Sequence, residues 1–198
     1  EEQCEATIAL GPSVISSIMG IYPAPFIARL KNQGIKWFAT VTSVTEALAA
    51  EAAGADVIVA QGVEAGGHRG SFNSEDVSRS LVGLFSLLPA VVDAVKIPVV
   101  ATGGIGDARG IAAALLLGAS AVQIGTGLLR TPESGITSAW ANAIGSALPE
   151  DTVPTRAFSG RLGRSIRTAY TEEAVKGPKP APYPIQRNLT KAMRDSAI

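Results

Sequence analysis

The chain of 198 residues is 46% hydrophobic and 17% charged, which is typical of a globular protein with a sizeable core and excludes a disordered chain. Its 17 basic and 17 acidic residues balance, so the net charge gives no support to nucleic-acid binding. A single cysteine, Cys4, rules out an internal disulfide framework and favours the reducing cytoplasm.

Helix and strand patterns alternate along most of the chain. In chain order they predict a strand over 13–19, a helix over 24–33, a strand over 36–41, a helix over 44–53, a strand over 56–60, a long loop over 61–79, a helix over 80–95, a strand over 97–101, a helix over 107–117, a strand over 120–124 and a helix over 133–147. The uncharged stretch 110–129 is broken up by glycine and polar residues. We therefore expect a helix and a buried strand there, and no membrane span.

This alternation indicates the α/β class with a parallel sheet, either a barrel or a doubly wound sheet. We expect a (β/α)8 TIM barrel, which when complete needs about 250 residues. Residues 1–149 are then the C-terminal five βα units of a barrel that lacks its N-terminal βα units. Residues 150–198, rich in proline and arginine, are expected to form an excursion that packs on the barrel.

Two glycine-containing segments follow predicted strands and are candidates for phosphate binding. The first includes Gly103 and Gly104 and leads into a helix at Asp107, where backbone N–H groups and the helix dipole favour an anion. The second includes Gly125 and Thr126. Because the segments are one βα repeat apart, we expect them to be neighbours that bind one phosphate. The alternative is that these glycines only make tight turns.

The third candidate segment opens the long loop and contains His68, the only histidine of the chain. Histidine exchanges a proton near neutral pH, and the glycines on both sides allow close approach to a planar ligand. The glycine setting and the location at a strand end favour a catalytic base over a structural histidine. A metal ligand is not expected, because no second histidine or cysteine cluster accompanies it. Glu64 either hydrogen-bonds the imidazole or caps the loop, and Arg69 either attracts an anionic substrate or is solvated.

In these segments the chain resembles the nitronate monooxygenases, formerly called 2-nitropropane dioxygenases. The resemblance extends over nearly all 198 residues, and its most specific motif is Glu-Ala-Gly-Gly-His at 64–68. The other matching motifs are Ala-Thr-Gly-Gly-Ile at 101–105, Gln-Ile-Gly-Thr at 123–126, Ala-Thr-Val-Thr-Ser at 39–43 and Pro-Tyr-Pro-Ile-Gln at 182–186.

The resemblance implies noncovalently bound FMN, with His68 as the base that deprotonates neutral nitroalkanes. Alkyl nitronate and O2 would react to give a carbonyl compound and nitrite. No nucleic-acid or membrane partner is expected, and the resemblance is compatible with a homodimer. Gly103, Gly104, Gly125 and Thr126 would hold the phosphate, and Gln61 and Gly66 would lie along the isoalloxazine and ribityl groups. The other implied cofactor-binding residues are Gly67, Gln123 and Ile124.

Three other functions remain open from the sequence. An FMN-dependent enoyl-acyl-carrier-protein reductase using NAD(P)H shares the motif around His68 and both glycine segments. A phosphate-binding barrel without flavin would act on a phosphorylated metabolite. A catalytically silent form would serve as an assembly or regulatory partner.

Overall fold

The structure, a computed structural model, describes residues 2–75 and 77–196. Its residues form two compact units. The first comprises the described residues of Glu1–Val63 and Gly70–Gln123, and the second those of Glu64–Arg69 and Ile124–Ile198. None of the helices within 2–75 and 77–196 is long and apolar enough to cross a membrane.

The helices and strands follow one another as listed here. They are α1 (Glu2–Ala9), β1 (Val14–Ser17), α2 (Ala24–Asn32), β2 (Lys36–Val41), α3 (Val44–Ala52), β3 (Val57–Gln61), β4 (Gly67–His68), α4 (Leu84–Ala94), β5 (Val99–Thr102), α5 (Ala108–Leu116), β6 (Ala121–Gln123), α6 (Ser138–Ser146), β7 (Thr152–Thr155), β8 (Gly163–Ile166), α7 (Ala169–Lys176), α8 (Ile185–Leu189) and α9 (Lys191–Ser196). Short 3-10 turns lie at Ser78–Ser80, Thr126–Leu128, Pro132–Ser134 and Pro149–Asp151.

The first unit is built on a five-stranded parallel sheet in the order β1-β2-β3-β5-β6. Helices α2, α3, α4 and α5 alternate with the strands, so neighbouring strands follow in chain order, as they do in successive βα units of a (β/α)8 barrel. The predicted α/β barrel class is thereby confirmed. Gln61 pairs with Thr102, and Thr102 pairs with Gln123, so the carboxyl ends of three strands meet at one edge.

Branched and aromatic side chains fill the core between this sheet and its helices. Trp37, Leu30, Ile58, Leu88 and Val91 are all 0% exposed. The indole N–H of Trp37 donates to Ser17 Oγ at 2.9 Å, so the one polar atom of this buried ring has a partner. This packing fixes the strand ends from which the candidate segments leave.

The second unit contains a three-stranded antiparallel sheet in the order β4-β8-β7. Its short strand β4 carries His68, which lies opposite Gly163 of β8. Helices α7, α8 and α9 follow β8 along the chain. The sheet therefore joins a two-residue strand from the middle of the sequence to the C-terminal region.

The structure differs from the sequence prediction at several places. The segment 61–79, predicted as a loop, contains strand β4 and a 3-10 turn; its residue 76 lies outside the described residues. The helix predicted over 133–147 begins only at Ser138, because Pro132–Ser134 form a 3-10 turn and Thr137 caps the helix by accepting from the Trp140 N–H at 3.3 Å. Helix α1 was not predicted. The predicted domain boundary between residues 149 and 150 stays a prediction.

Candidate active site

Gln61 lies at the end of β3 and closes the base of the segment that carries His68. Its side chain is buried, and its Oε1 accepts a hydrogen bond from the Gly70 N–H at 2.8 Å. The chain therefore leaves the sheet after Gln61 and returns to the same side chain at Gly70. This contact gives Gln61 a structural role within the first unit, besides the flavin contact that the family resemblance implies.

The imidazole of His68 is held by a serine from the distant C-terminal region. His68 Nε2 lies 2.7 Å from Ser159 Oγ, and the two residues are 91 positions apart in the chain. Ser159 is buried, and its hydroxyl also donates to the Arg161 carbonyl at 3.2 Å. Since this serine is itself anchored, it fixes the orientation of the ring.

The surroundings of His68 favour its neutral form. Burial lowers the pKa of His68 below its ordinary value of 6.5, and the positive charges of Arg161 and Arg187 lower it further. A neutral imidazole has a lone pair that can accept a proton. The site thus keeps the histidine in the form that general-base catalysis requires.

The two residues beside His68 whose roles were open differ in burial. Arg69 is only 2% exposed, so the interpretation of Arg69 as a solvated side chain is wrong. Its N–H donates to the Leu162 carbonyl at 2.9 Å, and its carbonyl accepts from Arg161 Nε at 3.3 Å, so its backbone is tied to the segment before β8. Glu64 is exposed, and its role stays a prediction.

The paired glycines after β5 have the backbone geometry of an anion-binding turn. The φ angle is 109° at Gly103 and 70° at Gly104, a backbone conformation that residues other than glycine rarely adopt. Among residues 2–75 and 77–196, no protein acceptor takes the N–H of Gly103 or Gly104. Both amides are therefore suited to a phosphate oxygen.

The N-terminus of α5, expected to add to this anion site, is already capped. The Asp107 carboxylate accepts from the N–H groups of Arg109 at 2.9 Å and Gly110 at 3.3 Å, so these donors are not bare. The hydrogen bond from the Arg109 guanidinium, with these two N–H groups, lowers the pKa of Asp107 to about 2. Because the Asp107 carboxylate occupies the N–H groups at the start of α5, the amides of Gly103 and Gly104 are the donors of this segment that remain for an anion.

In the second unit, the structure brings Gly66 and Thr126 together. A Cβ atom at Gly66 would lie 2.5 Å from Thr126 Oγ1, so the threonine hydroxyl rests directly on the glycine. Gly125 comes just before it, and a Cβ there would meet nothing within 4 Å. The loop at 124–126 therefore presents an accessible backbone with a hydroxyl donor beside it.

Sequence reasoning missed two residues that touch His68. Ser159 is its hydrogen-bond partner, and the ring of Tyr183 makes an edge contact with a centroid separation of 5.7 Å. Tyr183 stands in the Pro-Tyr-Pro motif, to which no role had been assigned. The signal for Ser159 was the adjacent Gly160, which is followed by Arg161. A second glycine-arginine pair ends at Arg164.

Comparison with known proteins gives consistent results. A family model described as nitronate monooxygenase matches residues 2–198. A probable nitronate monooxygenase of Staphylococcus aureus (strain MSSA476) is 48% identical over 179 residues, which cover 90% of this chain and 50% of that protein. The chain thus spans about half the length of the curated relatives it matches.

Solved structures are also similar over most of the chain. Nitroalkane oxidase from Streptomyces ansochromogenes has a TM-score of 0.91 at 42% identity, covering 98% of this chain and 56% of that one. FabK from Thermotoga maritima has a TM-score of 0.77 at 36% identity, covering 87% of this chain and 52% of that one. With a family model that matches nearly every residue, the chain belongs to the nitronate monooxygenase family.

Proposed function

We propose that the protein containing this chain oxidises alkyl nitronates with O2 to a carbonyl compound and nitrite, and accepts neutral nitroalkanes through His68. The observation that carries the proposal is a half-buried, glycine-flanked histidine, whose neutral form is favoured by burial, Arg161 and Arg187 and whose ring is oriented by Ser159. Two nitronates and one O2 give two carbonyl compounds and two nitrites, which balances atoms and charge. Membership of the family and similarity to a nitroalkane oxidase support this chemistry.

His68 would act in the step that makes the nitronate. The α C–H bond of the nitroalkane breaks, its electron pair moves into the carbon–nitrogen bond, and the imidazole takes the proton. The resulting imidazolium can donate a hydrogen bond to Ser159 Oγ, because the serine hydroxyl donates its own hydrogen bond to the Arg161 carbonyl. A preformed nitronate has already lost this proton and does not need the base.

The family is flavin-dependent, and we propose FMN as the cofactor. Bound flavin would supply the electron transfer between nitronate and O2. In the first unit, Gly103 and Gly104 offer two N–H donors to the phosphate, with Gln61 and Gln123 at neighbouring strand ends. In the second unit, the proposed contacts are Gly66, Gly67, Ile124, Gly125 and Thr126, of which Gly66 and Thr126 touch each other.

The test is a visible spectrum of the intact protein combined with an oxygen-electrode assay on ethyl nitronate. We expect a flavin spectrum, release of FMN on denaturation, and O2 consumption with formation of nitrite. Protein that stays colourless with added FMN would instead favour a flavin-free phosphate-binding barrel. Flavin without nitronate-dependent O2 uptake would contradict the proposed reaction.

The rival function, an enoyl-acyl-carrier-protein reductase, is separated by its reductant. Such an enzyme oxidises NADH or NADPH when given an enoyl thioester, whereas nitronate oxidation needs neither. The greater similarity to nitroalkane oxidase than to FabK supports the nitronate reaction. Oxidation of NADH that depends on the thioester would favour the reductase over the nitronate reaction.

A further inference from the structure

The Pro-Tyr-Pro motif places an aromatic ring against His68. The rings of Tyr183 and His68 meet edge to face, with centroids 5.7 Å apart and planes inclined at 75°. Tyr183 is 42% exposed, so the residue packs partly against protein and remains partly accessible. No step of the proposed reaction uses this side chain.

The backbone that carries Tyr183 is held by close contact with Gly160, the residue after Ser159. A Cβ atom at Gly160 would lie 2.1 Å from the Ala181 carbonyl oxygen and 2.7 Å from the Tyr183 nitrogen. The segment 181–183 therefore lies directly on a glycine backbone. The same short stretch thus positions both neighbours of His68, the serine hydroxyl and the tyrosine ring.

Hydrogen bonds on either side of Tyr183 hold this arrangement. Gln186 accepts from the Ala181 N–H at 3.1 Å and donates to the Ala157 carbonyl at 2.8 Å. Thr190, which is buried, hydrogen-bonds to the Phe158 carbonyl at 2.6 Å. The backbone on both sides of Tyr183 is thereby fixed to residues next to Ser159.

We propose that Tyr183 is a specificity-determining residue that forms a wall beside His68 and restricts the enzyme to short-chain alkyl nitronates and nitroalkanes. This inference rests on the proposed function. Because the two rings are in contact, the tyrosine ring would limit the space for an alkyl chain on an α-carbon that reaches the imidazole. The carbon face of the ring favours contact with a short chain, while its fixed position excludes a long one.

The experiment compares ethyl and hexyl nitronates with the flavin-loaded intact protein. In Tyr183→Ala the ratio of kcat/KM for hexyl over ethyl nitronate should rise at least about 10-fold, since a single methylene in a pocket can change specificity by that factor. Tyr183→Phe, which keeps the ring, should leave the ratio unchanged. Tyr170→Ala is the matched control, because it removes a tyrosine ring that packs on Phe158 and hydrogen-bonds to the Ala157 carbonyl.

A merely structural role for Tyr183 would lower both rates in parallel and leave the ratio unmoved, which would overturn the proposal. A binding measurement separates this failure from that of the reaction itself. Propionate and heptanoate imitate the two nitronates without reacting, and their binding can be followed through the imidazole proton resonances of His68. Tyr183→Ala should selectively tighten heptanoate binding. If no nitronate is oxidised but Tyr183→Ala binds heptanoate more tightly, the role of Tyr183 as a wall is supported and the proposed function is contradicted.

Discussion

The charge of His68 depends on three features of its surroundings that act on different forms of the ring. Burial and the positive charges of Arg161 and Arg187 disfavour the imidazolium, and burial has the largest effect. Ser159 Oγ can accept a hydrogen bond from the ring once it is protonated. The imidazole is thus favoured in its neutral form before it takes a proton, and the imidazolium is stabilised by a hydrogen bond to Ser159 afterwards, as a general base requires.

The lowered pKa of His68 has a measurable kinetic consequence. The kcat/KM for a neutral nitroalkane should stay high as the pH falls below 6.5, the ordinary value, and decline only near the lower pKa of the folded protein. Replacing Arg187 with Gln should raise this apparent pKa, whereas Lys176→Gln, which removes an exposed charge on α7, should not. An apparent pKa at or above 6.5, unmoved by Arg187→Gln, would contradict the account.

The same shift links stability to pH. Because the folded-state pKa of His68 is depressed, the unfolded chain takes up its proton first as the pH falls. The part of the free energy of unfolding that His68 contributes above its ordinary pKa is therefore lost as the pH falls toward its folded-state pKa. His68→Asn should remove this part of the pH dependence.

At the scale of elements, the turn at Gly160 connects the serine and tyrosine neighbours of His68. In Gly160→Ala the new Cβ would collide with the Ala181 carbonyl, and the backbone, at φ 84°, would be strained. Strain of this kind costs about 1–3 kcal/mol, and the collision adds to it. We expect a lower melting temperature and weaker discrimination against hexyl nitronate.

The control for Gly160→Ala is Gly177→Ala at the end of α7. A Cβ there would meet its nearest atom at an ordinary 3.7 Å. This variant should change neither property appreciably. Equal stability of the two alanine variants would show that segment 181–183 does not rest on Gly160.

Helix α4 offers a matched test of the core, since one face is buried and the other is open. Leu88 is 0% exposed and Phe85 is 72% exposed. Urea unfolding should show a loss of about 2–5 kcal/mol for Leu88→Ala. Phe85→Ala should change stability by no more than about 0.5 kcal/mol. Similar losses for both would mean that α4 packs through a different face.

Elements defined by local pattern could be predicted from the sequence, and those defined by distant partners could not. Strand β2 was predicted over 36–41 and is found at Lys36–Val41, because its apolar residues and flanking helix ends are local signals. Strand β4 has only two residues and exists through its pairing with β8. No local pattern reveals such a strand.

The same distinction applies to the candidate site. His68 was recognisable by its glycine neighbours, whereas its partner Ser159 is 91 residues away. The burial of Arg69 depends on the segment before β8, to which its backbone is bonded, and so the alternative of a solvated side chain could not be rejected beforehand. The start of a helix at Asp107 was visible in the sequence, but the occupation of its N–H groups by the Asp107 carboxylate was not.

For the whole molecule, retention of the flavin tests the glycine segments. Gly104→Asp places a carboxylate where two left-handed glycines present their amides, and it should repel the phosphate and abolish FMN retention on gel filtration. The control is Gly106→Asp, which adds the same charge where a Cβ would meet nothing within 4 Å. It should retain clearly more FMN. Unchanged FMN affinity in Gly104→Asp would refute the phosphate assignment.

The most direct test of the central claim compares His68→Asn on a neutral nitroalkane and on its preformed nitronate, with bound FMN measured in every sample. General-base catalysis is typically worth about 100- to 10,000-fold. We expect a loss in that range for the nitroalkane and a much smaller loss for the nitronate, which needs no deprotonation. If both rates fall in parallel while FMN remains fully bound, His68 has a structural role in its loop and is not the catalytic base.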